Sequence, residues 1–242
     1  MENSILVAVS AQDVLRRNLD VIANNIANLD TAGFKAERFM VTAFPVAAAR
    51  PRTEVPGTTA FVRDLATVRD ASDGRLSETG NALDVALRGD GYFTVSTPDG
   101  DRYTRDGHFR LDDGGRLVNE DGFPVQGLGG GPLVFAPEDA SIEITGDGTI
   151  SSDRGEIGKL RVVRFDDPST MQAAGDGLAT SEQTPQEVTE PQVLQGMIEK
   201  SNVEPILEME RMIRVQRAYD QAKQLVDRED ERIRKMITVF VE

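Results

Sequence analysis

Both ends of the chain carry an apolar stripe at alternating steps of three and four, and this repeat constrains the fold more than any other feature of the sequence. Near the N-terminus Ile5, Ala8, Gln12, Leu15, Leu19, Ile22, Ile26 and Leu29 take that spacing, which keeps one side of an α-helix turned towards a partner helix. Near the C-terminus Met212, Val215, Tyr219, Ala222, Val226, Glu229, Ile233, Met236 and Phe240 repeat it, with Lys, Arg, Asp and Glu at most positions between. At ~1.5 Å per residue the second stripe runs for about 43 Å. That is longer than a small β domain covers, so a second long helix is required to bury it. Heptad stripes pack against their own domain more often than against another subunit, but here the length favours helix pairing. The expected subunit-interface seam is Leu15, Leu19, Ile22, Ile26 and Leu29 with Met212, Val215, Tyr219, Ala222, Val226, Ile233 and Met236. The C-terminal helix has a readable start. Ser201 or Asn202 caps it, Glu204 completes a capping box with Ser201, and Pro205 occupies the first turn, where no intrahelical N–H bond is lost.

Between the two stripes the pattern changes. Leu83, Val85 and Leu87, then Phe93 and Val95, alternate as half-buried strands do. Reversals recur at Asp90-Gly91, Asp99-Gly100, Asp106-Gly107, Asp113-Gly114, Asp121-Gly122 and Asp147-Gly148; Asp accepts local backbone hydrogen bonds and Gly relaxes the steric limit on φ. A further strand is expected over residues 159–165. The expected fold class is therefore mixed α and β, with N- and C-terminal coiled-coil-type helices and an antiparallel β-rich domain between them. The boundaries follow composition: a helix over 1–35, an extended connector over 36–78 rich in Pro with one strand near 60–68, the β-rich domain over 79–168, a second connector over 169–200, and a helix over 201–242.

The chemistry-bearing residues point away from catalysis. His108 is the one histidine and there is no cysteine, which excludes an HExxH site, thiolate metal sites, disulfides and a Cys nucleophile. No G-x-S-x-G elbow accompanies His108, so a solvated strand histidine is expected in place of a triad base. Asp99, Asp101 and the Asp112-Asp113-Gly114 group invite a calcium reading, but an EF-hand starting at Asp99 fails because Tyr103 and Thr104 stand where an oxygen ligand and the glycine belong, so these acids are expected to form turns. The Gly127, Gly129, Gly130 and Gly131 run reaches Pro132 where a dinucleotide motif needs its last glycine. The sequence is expected to have no catalytic residue, cofactor or metal site, and no small-molecule substrate. With 27 Lys+Arg against 41 Asp+Glu the net charge is -14, which opposes nucleic acid and anionic lipid surfaces. No segment is apolar enough to insert in a bilayer, and the opening residues lack the basic flank and long apolar core of a cleaved secretory signal.

Three stretches carry a family resemblance. Leu19-Asp20-Val21-Ile22-Ala23-Asn24-Asn25-Ile26-Ala27-Asn28 through Thr31-Ala32-Gly33-Phe34-Lys35 resembles the N-terminal signature of flagellar rod and hook proteins. The stretch Glu78-Thr79-Gly80-Asn81-Ala82-Leu83-Asp84-Val85-Ala86, with Gly89-Asp90-Gly91-Tyr92-Phe93 and Tyr103-Thr104-Arg105-Asp106-Gly107, resembles the rod-type β domain. Gln195-Gly196, Glu199-Lys200-Ser201-Asn202-Val203, Met212-Ile213 and Gln216-Arg217-Ala218-Tyr219 resemble the C-terminal helix region. Asp30 and Ala82 depart from the family's usual Asn and Pro. Length and the opening Met1-Glu2-Asn3-Ser4 are similar to the proximal-rod members, with the distal-rod members next.

The resemblance implies a structural subunit of the bacterial flagellar basal-body rod that transmits motor torque. It also implies export by the flagellar type III apparatus without a cleaved signal peptide, assembly in the periplasm, and proximal and distal rod subunits as partners. Unlike helices at the two ends of one chain suit heterologous contacts that build an open helical assembly. Asn24, Asn25 and Asn28 are open to two readings, hydrogen-bonding across packed helices or solvation at a helix end. The alternatives are a distal-rod or hook-type axial subunit and, in another class, a secreted carbohydrate-active or adhesive β protein with helical oligomerisation stalks.

Overall fold

The N-terminal repeat folds as helix α1, Glu2–Ala27, and the C-terminal repeat as helix α2, Pro205–Val241, in a computed structural model that describes residues 2–47, 58–139 and 141–241. The chain separates into two units. The first comprises Met1–Ala27, Glu37–Val68 and Glu204–Glu242, and the second Asn28–Ala36 and Arg69–Val203.

In the first unit α1 and α2 pack along one another, and strand β1, Glu37–Ala47, lies beside α1. Strand β2, Thr58–Arg69, pairs with β1 in a two-stranded sheet. The segment read as a connector thus holds two long strands. Pro45 falls within β1, and both strands of a two-stranded sheet are edges, where proline is tolerated. Helix α2 begins at Pro205, and its first turn is fastened by the Glu208 N–H donating to the Glu204 carbonyl at 3.0 Å. The expected cap is not used: the Ser201 hydroxyl accepts from the Val203 N–H at 3.3 Å, and the Asn202 side chain is engaged by other backbone.

The second unit is a β body of short strands. In chain order they are β3 (Leu76–Glu78), β4 (Val85–Arg88), β5 (Tyr92–Thr97), β6 (Gly100–Thr104), β7 (Arg110–Leu111), β8 (Leu117–Val118), β9 (Ile142–Ile144), β10 (Thr149–Ser152), β11 (Gly155–Lys159) and β12 (Val162–Arg164). They continue as β13 (Gln172–Gly175), β14 (Leu178–Thr180), β15 (Gln186–Glu187), β16 (Gln192–Gln195) and β17 (Met197–Glu199). Six form one sheet in the order β13-β14-β6-β5-β12-β15, and β11-β10-β9 form another; every described pairing is antiparallel. Strands β16 and β17 return to pair with β4 and β3. The stretch 169–200, read as a second connector, therefore completes the body. Its strands are too short to show alternation, and β13 is exposed along its whole length.

The main core gathers Val85, Leu87, Phe93, Val95, Phe109, Leu117, Val125, Phe135, Ile150, Leu160 and Val162. Phe93 and Phe109 meet edge to face at 5.1 Å between centroids, a geometry that suits the opposite charge of ring edge and face. A smaller cluster forms around Tyr92, Tyr103, Val163 and Phe165, with Tyr103 and Phe165 at 4.8 Å. Gly107 permits the closest approach, since a Cβ there would stand 1.6 Å from the Val85 carbonyl oxygen.

Candidate assembly interface and a buried charge cluster

Helices α1 and α2 run antiparallel, because Asn25 near the end of α1 meets Glu208 near the start of α2. Asn25 is 1% exposed. Its side-chain oxygen accepts from the Glu37 N–H at 2.9 Å, while its amide nitrogen donates to the Glu37 carbonyl at 2.8 Å and to the Glu208 carboxylate at 3.4 Å. One side chain so joins α1, β1 and α2. The Arg211 guanidinium is bonded to the other oxygen of Glu208. Of the two readings open for the asparagines, cross-helix bonding holds for Asn25, whereas Asn24 lies on the exposed side and Asn28 is half-buried in the turn after α1.

The expected seam divides by burial. Ile22 is buried, and Leu15, Leu19 and Ile26 are half-buried along α1. Leu29 lies past the helix, in the second unit, and is also half-buried. On α2, Met212, Val215, Tyr219, Ala222, Val226 and Ile233 are all half-buried. Ile5, Met236 and Phe240 fall outside the residues whose side chains are described. Sequence reasoning passed over Val14, which is buried beside the stripe, and a second apolar line facing outward. On α2 this line is Ile206, Met209 and Ile213, 76%, 51% and 55% exposed. On α1 Leu6 and Val9 are likewise exposed. The signal was present in the spacing, since 206, 209 and 213 step by three and four in parallel with the seam.

The second unit holds a cluster of buried charge. Glu199, 1% exposed, accepts from the Lys35 ammonium at 2.6 Å and the Gly74 N–H at 2.7 Å on one oxygen, and from Arg105 at 3.4 Å on the other. Arg105 also donates to the Gly89 carbonyl at 2.6 Å, reaches Asp73 at 3.4 Å and lies over the Tyr92 ring. Lys35 donates further to the Ser72 carbonyl at 2.7 Å. Burial pushes the Lys35 ammonium below the usual lysine range, and the neighbouring Glu199 carboxylate opposes that push. Two residues of the resemblance motifs, Lys35 and Glu199, are thus a contacting pair, which nothing in their spacing reveals.

The other polar candidates engage partners within the β body. His108 faces carboxylates at both ring nitrogens, with Asp84 at 2.9 Å from Nδ1 and Glu120 at 3.8 Å from Nε2. Asp112 accepts from the Arg116 and Gly114 N–H groups at 2.8 and 2.9 Å, and these bonds hold its carboxyl below the usual carboxylate range. Asp101 accepts from Gln126 and Arg161. The glycine run closes a tight turn, with Gly127 N–H donating to Gly131 O and Gly130 N–H to Gly127 O, each at 2.8 Å. Among the described residues no group of three or more His, Asp or Glu is placed to hold a metal ion, and no helix is long and apolar enough to cross a membrane.

Three family models match in chain order. They are the flagella basal body rod protein over residues 5–35, the flagellar hook protein FlgE/F/G D1 domain over 86–152, and the flagellar basal body rod FlgEFG protein C-terminal region over 194–239. The chain is 39% identical to the flagellar basal-body rod protein FlgF of Caulobacter vibrioides, over 94% of this chain and 93% of that protein. The chain belongs to the flagellar basal-body rod protein family. It is 35% identical to FlgF of Mesorhizobium japonicum over 93% of this chain and 92% of that protein. It is 29% identical to the rod protein FlgG of Bacillus subtilis over 99% of each. The first and last of these family models fall on α1 with the turn after it and on β16 through α2, and they include Lys35 and Glu199 of the charge cluster.

Proposed function

We propose that this rod-family chain is a proximal-rod subunit of the drive shaft that carries torque from the flagellar motor. It assembles in the periplasm with other proximal and distal rod subunits after export without signal cleavage. The observation that supports this most directly is the incomplete burial of the helical pair. Along α2 the stripe from Met212 to Ile233 is half-buried within one chain, and Ile206, Met209 and Ile213 are more than half exposed on another side. A monomer with so much apolar helix surface gains by packing further helices onto it, since each large aliphatic side chain taken from water contributes roughly 1.5–3 kcal/mol.

The seam residues Leu15, Leu19, Ile22, Ile26, Val215, Tyr219, Ala222 and Val226 hold the helix pair together and offer their uncovered halves to neighbouring subunits. The outward stripe supplies the second contact needed for a heterologous, open assembly. Carboxylates at Val226 and at Ile213 test the two contacts separately. Val226→Asp and Ile213→Asp chains are expected to be exported and to keep the β body folded, as judged by near-ultraviolet circular dichroism, yet to give cells without complete rods and without motility. Normal rods and swimming in cells that carry Val226→Asp would remove the seam from the interface. Normal swimming with Ile213→Asp would remove the outward stripe.

A further inference from the structure

Three stretches far apart in the chain, 33–36, 70–75 and 199–202, are tied to one another around Glu199, and each is bonded to both of the others. Between the first and third, the Gly33 N–H donates to the Glu199 carbonyl at 2.7 Å, the Ala36 N–H donates to the Asn202 side-chain oxygen at 2.7 Å, and Lys35 meets the Glu199 carboxylate. Between the first and second, the Asp70 N–H donates to the Ala36 carbonyl at 2.8 Å and Lys35 to the Ser72 carbonyl. Between the second and third, the Gly74 N–H reaches the Glu199 carboxylate, the Lys200 N–H donates to the Arg75 carbonyl at 2.9 Å, and the Asn202 amide donates to the Asp70 and Ser72 carbonyls, each at 3.0 Å.

The contacts are close as well as numerous. A Cβ at Gly74 would stand 1.8 Å from the Lys200 carbonyl oxygen, and one at Gly33 would stand 2.4 Å from the Arg105–Asp106 backbone. Gly33 also adopts φ +67°, a conformation that costs glycine nothing. Charge makes the arrangement conditional. Lys35 and Arg105 are buried at 5% and 3% side-chain exposure, while of their two carboxylate partners only Glu199 is buried, Asp73 being 49% exposed. If any one stretch departs, the others retain buried charge or polar backbone without compensation, and such groups are strongly unfavourable when a single partner is removed.

We infer that the Glu199 junction is an all-or-none coupling between the stretch that follows α1 and the stretch that precedes α2, so that order in one requires order in the other. By linkage the coupling is reciprocal: whatever steadies 33–36 steadies 199–202 to the same degree. In the proposed rod, and resting on that reading, engagement of one chain end by a neighbour therefore readies the other end. The coupling itself belongs to the single chain and is judged there, independently of assembly.

Amide hydrogen exchange on the full-length monomer tests it, with Lys35→Met and Glu199→Gln as the perturbations. The reporters are the Gly33 and Ala36 amides on the first stretch, Gly74 on the second and Lys200 on the third. The Val125 and Leu160 amides, bonded within the core to Leu117 and Gly148, report the body. Lys35→Met is expected to speed exchange at Gly74 and Lys200 as much as at Gly33 and Ala36, by at least about tenfold, and to leave Val125 and Leu160 unchanged. Glu199→Gln is expected to do the same, and the double variant to add nothing beyond it, because the two residues act as one unit. Faster exchange confined to Gly33 and Ala36 in Lys35→Met would show independent stretches and overturn the coupling. So would acceleration of Val125 and Leu160 in step with the junction, since the cluster would then be only a share of global stability.

Discussion

The two units handle their apolar residues in opposite ways. In the β body Phe93, Val95, Val125, Ile150 and Val163 have no exposure at all, whereas on the helical pair Ile206, Met209 and Ile213 are more than half exposed. The antiparallel body gathers side chains from many short strands into a core closed within one chain. Two helices cover only the stripe between them, and any further apolar line on either helix remains in water. The comparison separates a part of the molecule that closes its own core from a part that leaves apolar side chains in water, and three substitutions probe that separation.

The largest effect on stability is expected from Phe93→Ala, which removes one member of the edge-to-face pair at the centre of the closed core. It should destabilise the β body by about 3–5 kcal/mol, read as a lower urea midpoint by tyrosine fluorescence. A loss below 1 kcal/mol would mean that the core is not the closed unit it is described to be. Next, Ile22→Asp places a carboxylate at a position 4% exposed in the helical pair. Loss of the aliphatic burial, roughly 1.5–3 kcal/mol, plus an unpaired buried charge should melt α1 from α2 while the β body keeps its own transition. The far-ultraviolet helical signal should fall with the body's midpoint unmoved; if both transitions shift together, the two units are not separable in stability.

The smallest effect is a pH dependence confined to the body. Burial, with Glu120 and Asp121 nearby, pushes the Asp106 carboxyl up to about 6 from an ordinary 3.8. Because the folded state holds this proton more tightly than the unfolded chain, this carboxyl's contribution to stability is fully present below pH 3.8 and is lost as pH rises through about 6. Asp106→Asn keeps an acceptor for the His108 N–H, which Asp106 receives at 2.9 Å, and removes the ionisation. The variant should be more stable at pH 7.5, by about 1–2 kcal/mol after allowance for screening, and should lack that slope. An unchanged slope between pH 4 and 6 (roughly the linkage window) would assign it to another group.

Sequence pattern was most informative where the deciding contacts are local. The half-buried positions Met212, Val215, Tyr219, Ala222, Val226 and Ile233 are those marked by the three-and-four spacing, since helical geometry alone places them on one side. The turns of the β body were legible for the same reason, Asp and Gly acting within a few residues of themselves. Short strands such as β13 and β15, which carry no alternation, read as linker although they extend the six-stranded sheet. The burial of Asn25 was left open, because an asparagine near a helix end has the same local pattern whether it meets solvent or a strand.

By itself, then, the amino-acid sequence determined two helical ends, an antiparallel β-rich middle and membership of the rod family through motifs that read in order along the chain. Only the tertiary structure decided which residues of those motifs meet. Lys35 and Glu199 are separated by 164 positions and Arg105 and Glu199 by 94, and no periodic pattern links residues that far apart. Their pairing is set by where β3 and β17 bring the chain back and by the requirement that a charge removed from water find its partner there.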